Sequence, residues 1–284
     1  MTEKIALLVD SGMDTPTEIT QLDGVFVVPL SVNYSNGSFL DNIDITADEI
    51  YARLDEEIPS TSLPSLEIIE DTINQIKKEG YTHILTVTIS SGLSGTHNAL
   101  RLLLDDHNDI HTHIIDTKSI GIGGGIQAAY LKELIDKQYS FDSLVEIGEL
   151  LPKKGRVYFS IPTLEYLKKG GRIGLVTSII GTALNLNPVI SCNNEGIYYT
   201  VTKARGRKKS LQKMIDQLVE FAGESKDYRI GIAYGTCIEE AETVKQNILE
   251  KLPFASNVYF DDVSPVLGVH TGPDVVGVTI LDLN

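Results

Sequence analysis

Cysteine is scarce in this 284-residue chain: Cys192 and Cys237 stand alone, far apart and outside any C-x-x-C pair. Their scarcity excludes a disulfide framework and thiolate zinc or redox spacings, and a cytoplasmic setting is expected. Positive charge is short as well, with 24 Lys and Arg against 39 Asp and Glu, a formal net charge of −15. So acidic a chain repels phosphate backbones and anionic bilayers, which excludes nucleic acid as a partner and leaves at most transient membrane contact. Long apolar runs are missing too. The opening Met1-Thr2-Glu3-Lys4, followed by Ile5-Ala6-Leu7-Leu8-Val9, meets Asp10 too soon for a signal peptide or a membrane span and reads as a first buried strand. No low-complexity tract or repeat is visible.

Several catalytic signatures also fail. Gly92-Leu93-Ser94-Gly95-Thr96 has its second glycine one position early for a nucleophile elbow. Gly121-Ile122-Gly123-Gly124-Gly125 is followed by Ile126 where a dinucleotide-binding turn needs glycine, with no acidic residue suitably placed downstream. His111 and His113 have no third ligand at a useful spacing, so no metal site is expected. No G-x-x-x-x-G-K-[ST] loop is present, so the chain carries no nucleotide site of that kind.

What remains is a regular alternation. Ile5 to Asp10, Phe26 to Pro29, His83 to Ile89 and His113 to Asp116 read as strands. Between them, Leu66, Ile69, Ile73 and Ile76 share one helix face, with Ser65 as N-cap and Gly80 as stop, and a second helix is expected from Gly124 to Asp136. This order predicts a parallel sheet covered by helices, an α/β/α three-layer unit over residues 1–150. The second half, 151–284, predicts an α/β unit with a mixed sheet, its boundary falling between Ser140 and Lys154. No flexible linker marks that boundary, so the halves should share an extensive interface.

Ser90-Ser91-Gly92-Leu93-Ser94-Gly95-Thr96 places four hydroxyls and two glycines between a strand and a helix. Unpaired N–H groups, a positive helix dipole and hydroxyl donors at such a turn suit a carboxylate or phosphate. Ser60-Thr61-Ser62-Leu63-Pro64-Ser65 is a second hydroxyl cluster in an expected loop, able to bring Thr61 to the same anion. Lys203 to Lys209 holds five cations in seven residues, against the sign of the chain, with Arg205 expected inward and Lys208 and Lys209 in water. His270, flanked by Gly268 and Gly272, is expected on an exposed turn presenting its ring to a cleft. Leu167-Lys168-Lys169-Gly170-Gly171-Arg172 reads as a helix C-terminus.

Thr61-Ser62-x-Pro64-Ser65, Ser90 to Thr96, Asp116-Thr117-Lys118, Lys169 to Ile173, Arg205-Gly206-x-Lys208-Lys209 and Gly268-x-His270-Thr271-Gly272-Pro273 occur in an order that resembles the DegV family over nearly the whole chain. The resemblance implies two α/β domains with a long-chain fatty acid between them, its tail in a tunnel, and a carrier that presents the acyl carboxylate to a separate ATP-dependent kinase. It implies Thr61 and Ser94, with Ser91, Gly95 and Ser62 around them, as carboxylate-binding residues. It implies His270 and Arg205 beside the transferring phosphate, and no cofactor or metal. Tunnel lining is expected around Ile179, Ile180, Ala183 and Leu184. Two positions depart from the family: Leu63 stands where glutamine is common, and Asp274 where glycine is usual, an extra carboxylate able to raise the pKa of His270.

Burying about 15 methylene groups at about 0.8 kcal/mol each offers on the order of 10 kcal/mol, so affinity can come from the tail. A competing reading makes Ser94 a nucleophile and His270 its base in a lipid hydrolase or acyltransferase, and a third makes the chain a lipid-sensing regulator.

Overall fold

The computed structural model describes residues 3–179 and 186–284. Strands β1 (Ile5–Asp10) and β2 (Val25–Val28) are followed by β3 (Ser31–Tyr34), β4 (Gly37–Leu40) and β5 (Ser60–Ser62), then β6 (His83–Thr88) and β7 (His111–Asp116). The order β2-β1-β6-β7 forms a parallel sheet, while β4-β3-β5 is a small antiparallel sheet beside it. Beyond them, β8 (Gly155–Ser160), β9 (Leu186–Cys192), β10 (Tyr198–Arg205), β11 (Tyr228–Tyr234), β12 (Ala255–Asp262) and β13 (Val276–Asp282) form a second sheet. Its order is β10-β9-β8-β13-β11-β12, antiparallel except for the β11–β12 pair, and therefore mixed.

Side-chain alternation decides how these sheets stack. Ala6 and Leu8 of β1 face Ile69, Ile73 and Ile76 of helix α3 (Leu66–Lys78) and Leu100 and Leu104 of helix α4 (Thr96–Asp106). Ile5, Leu7 and Val9 point the other way. There they meet helices α5 (Ile122–Asp136) and α6 (Phe141–Lys154), which also pack on Val157, Phe159 and Leu281 of the mixed sheet. The far face of that sheet, with Tyr158, Ile230, Ile232 and Val278, is closed by α8 (Arg207–Ala222) and α9 (Ile238–Lys251). The molecule is thus five layers deep, with α5 and α6 shared between the sheets, and α6 runs into β8 without a linker. Among the described residues no helix is long and apolar enough to cross a membrane.

The remaining helices are short: α1 (Thr17–Thr20), α2 (Ala47–Arg53), α7 (Glu165–Lys169) and α10 (Pro265–Thr271). Two local expectations change. Ser60 to Ser62 is not loop but β5, an edge strand in which Thr61 pairs with Val32 of β3. His270 lies not on an exposed turn but in α10, all seven residues of which are buried. Pro265 at its first turn fixes φ for helix entry, and Gly272 at φ +76° ends it. Of the expected tunnel residues, the Ile179 side chain and Ile180, Ala183 and Leu184 lie outside the described residues.

Candidate functional site

In the parallel sheet, β1 leads leftward to β2 while β6 and β7 lie to its right, so the topological switch point falls between β1 and β6. Ligands in such sheets sit beyond the carboxyl ends of the strands at that point. The segment after β6 is the Ser90 to Thr96 turn, anchored from below by Ser90, which is fully buried. Its hydroxyl accepts from Gly92 N–H (3.0 Å) and donates to the Gly196 carbonyl (2.9 Å) in the β9–β10 turn. Ser94 Oγ lies 2.8 Å from Thr96 Oγ1 and accepts from Thr96 N–H at 3.3 Å. When Thr96 supplies the proton in that hydroxyl pair, the Ser94 proton is free to point at a ligand.

One cavity, about 30 Å³, is walled by Thr61, Ser94, Arg172 and His270 on its polar side and by Leu30, Ile89 and Leu93 on its apolar side. Thr61 Oγ1 is 2.8 Å from His270 Nε2. Burial, and then the nearby Arg172 charge, push the His270 pKa down from 6.5 to about 4, so the ring is neutral near neutral pH. Its Nδ1 is buried with no hydrogen-bond partner, packed against Gly170, where a Cβ would collide with the ring. An unpaired lone pair is cheaper there than an orphaned N–H, which puts the proton on Nε2, donating to Thr61 and leaving the Thr61 hydroxyl proton for a ligand. Asp274 does not raise this pKa. Its exposed carboxylate turns to Thr236, accepting from Oγ1 at 3.3 Å.

Arg172 reaches the cavity through the end of α7. Gly171 adopts φ +72°, the left-handed turn that closes the helix, and Arg172 N–H returns to the Leu167 carbonyl at 2.9 Å. The guanidinium then folds back, donating to the Gly170 carbonyl at 2.7 Å. Read from its residues this segment is a helix terminus, and its part in the family resemblance assigns Arg172 no role. The additional signal was the arginine directly after the left-handed glycine, whose side chain the turn throws inward.

The other expected residues are placed differently. Ser62 is exposed, and its hydroxyl accepts from Asn33 Nδ2 at 3.1 Å. Ser91 Oγ accepts from Lys118 Nζ (3.1 Å), while its N–H donates to Asp116 (3.2 Å). Gly95 caps α4 against the side chain of Leu63. Arg205 does not turn inward: it is exposed at the end of β10, with Lys208 and Lys209 exposed just beyond. Arg207 turns inward instead, bonding Glu240 (2.6 Å) and the Ser160 carbonyl (3.0 Å), because the first turn of α8 aims it at that carboxylate. Ser94 and His270 share a cavity but no hydrogen bond connects them, since Nε2 faces Thr61 and Ser94 Oγ faces Thr96.

Next to this cavity lies an apolar one of about 40 Å³, bounded by Val157, Phe159 and Val275, with Ile120, Tyr198, Leu267 and Thr271 common to both. Together they form a polar head and an apolar continuation running between the two sheets. Each is the size of one or two water molecules.

A family model described as "Uncharacterised protein, DegV family" matches residues 4–283. A DegV domain-containing protein of Clostridium acetobutylicum is 36% identical over 281 residues, covering 99% of each chain. Among solved structures, a fatty-acid-binding DegV family protein from Thermus thermophilus superposes with a TM-score of 0.93 at 31% identity, covering 99% of this chain and 100% of its own. The Streptococcus pneumoniae fatty acid kinase B3 protein loaded with linoleic acid gives 0.85 at 26% identity, with 99% and 100% covered. With one model spanning nearly every residue and full-length relatives on the same fold, the chain belongs to the DegV family.

Proposed function

We propose that this chain binds a long-chain fatty acid between its two halves, 1–150 and 151–284, and presents the carboxylate to a separate ATP-dependent kinase. The observation that carries the reading is the convergence of Thr61, Ser94, Arg172 and His270 on one cavity that continues into an apolar one. A buried carboxylate needs both donors and a counter-charge. Thr61 and Ser94 supply hydroxyls, the start of α4 supplies partial positive charge, and the half-buried Arg172 supplies the cation. The fatty-acid-bound neighbours share this fold.

The carboxylate is itself the nucleophile. One of its oxygens forms a bond to the γ-phosphorus of ATP as the bond to the β,γ-bridging oxygen breaks and ADP leaves, so no base is required. His270, neutral and donating to Thr61, then has an orienting part. Arg205 is solvent-facing and so able to meet the transferring phosphoryl group from outside, with Lys208 and Lys209 docking an acidic face of the kinase. The two described cavities are too small for an acyl chain, so tail entry displaces side chains such as Tyr198 and Leu267.

Mass spectrometry of lipid extracted under denaturing conditions should find a stoichiometric long-chain fatty acid in the purified protein. Thr61→Val with Ser94→Ala should retain at least about tenfold less. Lys208→Glu with Lys209→Glu should keep the lipid and lose salt-dependent kinase turnover. Absence of any fatty acid after incubation with oleate would refute the reading.

A further inference from the structure

The junction between the polar and the apolar cavity holds two hydroxyl side chains beyond those that meet the carboxylate. Tyr198 and Thr271 border both cavities and are only 2% and 7% exposed. Tyr198 packs its ring edge-on against Phe159, centroids 5.2 Å apart, and ends in a hydroxyl with no hydrogen-bond partner among the described residues. That hydroxyl feels the Arg172 charge from the head side and Asp14 from the apolar side, which places it between the two. Burial pushes its pKa well above the usual 10, so it keeps its proton and is a donor. Thr271 is its complement. Its one proton goes to the Leu267 carbonyl (3.1 Å) and is shared with that of Gly272 (3.3 Å), while nothing among the described residues donates to its oxygen.

A buried phenol without a partner is costly, and buried tyrosine hydroxyls ordinarily find one. A plain methylene chain laid through the junction brings none, because a CH₂ group neither accepts nor donates. One hydroxyl on the chain meets both side chains, accepting from Tyr198 and donating to Thr271. The carboxylate occupies the head cavity, so the carbons that cross the junction are the first ones after it. On the reading that this site holds a fatty acid, we propose that it selects acyl chains hydroxylated on one of the first carbons after the carboxylate, with Tyr198 as donor and Thr271 as acceptor.

A pocket built to hydrogen-bond a ligand hydroxyl discriminates strongly against the analogue without it, since its own buried groups are then left unpaired, whereas an apolar wall hardly distinguishes chains that differ by one methylene. Entry of the tail moves the Tyr198 ring, yet the ring stays rooted in β10, where Tyr198 pairs with Cys192 of β9, and so remains a wall of the channel. Its hydroxyl therefore keeps facing the chain. Neither side chain takes part in phosphoryl transfer: the chain hydroxyl is recognised, and the carboxylate remains the reacting group.

Lipid-free protein incubated with equal amounts of palmitate and 3-hydroxypalmitate, freed of unbound lipid and extracted for mass spectrometry, reads the preference directly. The parent should retain the hydroxylated chain at least about tenfold over palmitate. In the same competition ω-hydroxypalmitate, whose hydroxyl lies far from the junction, should gain nothing. Tyr198→Phe, which keeps the ring against Phe159, should bring the ratio of 3-hydroxypalmitate to palmitate to within about twofold of unity. Thr271→Val should do the same, and it decides alone if Tyr198→Phe fails to fold. A parent ratio near unity, a ratio unchanged in a folded variant, or an equal gain for the ω-hydroxylated chain would each overturn the proposal, while retained palmitate would leave the fatty-acid reading standing. Retention of neither chain would overturn both.

Discussion

His270 has its properties set by what surrounds it rather than by its own sequence neighbours. Burial is the larger cause of its low pKa and the Arg172 guanidinium the smaller. Arg172→Ala should therefore raise the His270 pKa from about 4 while leaving it below 6.5, as read by NMR titration of the imidazole. A bound carboxylate works in the same direction, because negative charge beside the ring favours imidazolium. The loaded protein should thus show a higher His270 pKa than the lipid-free protein. Thr61, Ser94 and His270 could be singled out from sequence because hydroxyl clusters and glycine-flanked histidine are locally unusual. Arg172 could not, because its approach depends on how α7 ends and where α10 packs, two contacts separated by about a hundred residues.

At the scale of elements, legibility follows amphipathicity. Helix α3 shows its apolar face because the opposite face is in water, with Ile69, Ile73 and Ile76 buried and polar neighbours between them. Helix α10 has no wet face, so Val266, Leu267 and Val269, interrupted by Gly268 and followed by Gly272, carry no helical period, and the segment reads as a turn. Its position comes from outside: Asp14 and Asp41 bond its first N–H groups, and Tyr51 and Tyr166 pack on its glycines. The Ser90 turn is held in a comparable way, by close backbone approach. A Cβ on Gly92 would sit 2.7 Å from the Glu195 carbonyl oxygen, a rigid backbone atom that cannot swing aside. Gly92→Ala should destabilise the protein by about 1–3 kcal/mol in urea unfolding. It should also loosen the seam between the turn and the β9–β10 hairpin, read as faster amide exchange at Gly196.

For the whole molecule, the stacking of two sheets on shared helices was visible in sequence only as an absent linker after Ser140, since nothing in α5 or α6 announces which two sheets they join. That stacking closes acidic groups into the interior, and the pH dependence of stability should report it. Asp10, Asp14 and Asp41 are raised from 3.8 to about 7, 8 and 6, chiefly by burial. Above pH 3.8 the folded chain therefore holds protons that the unfolded chain has shed, and stability falls as pH rises through those values. His270 acts oppositely. Lowered to about 4, it leaves the unfolded chain with the extra proton between pH 4 and 6.5, so its contribution rises with pH over that window and partly offsets the carboxyls. Above 6.5 the offset ends while Asp10 and Asp14 still titrate. The melting temperature should decline between pH 6.5 and 8, and Asp14→Asn, which removes the highest of these pKa values, should flatten the decline in a calorimetric pH series. A slope in that interval unchanged by Asp14→Asn would mean that the carboxyl is ionised within the fold throughout, contrary to the burial that surrounds it.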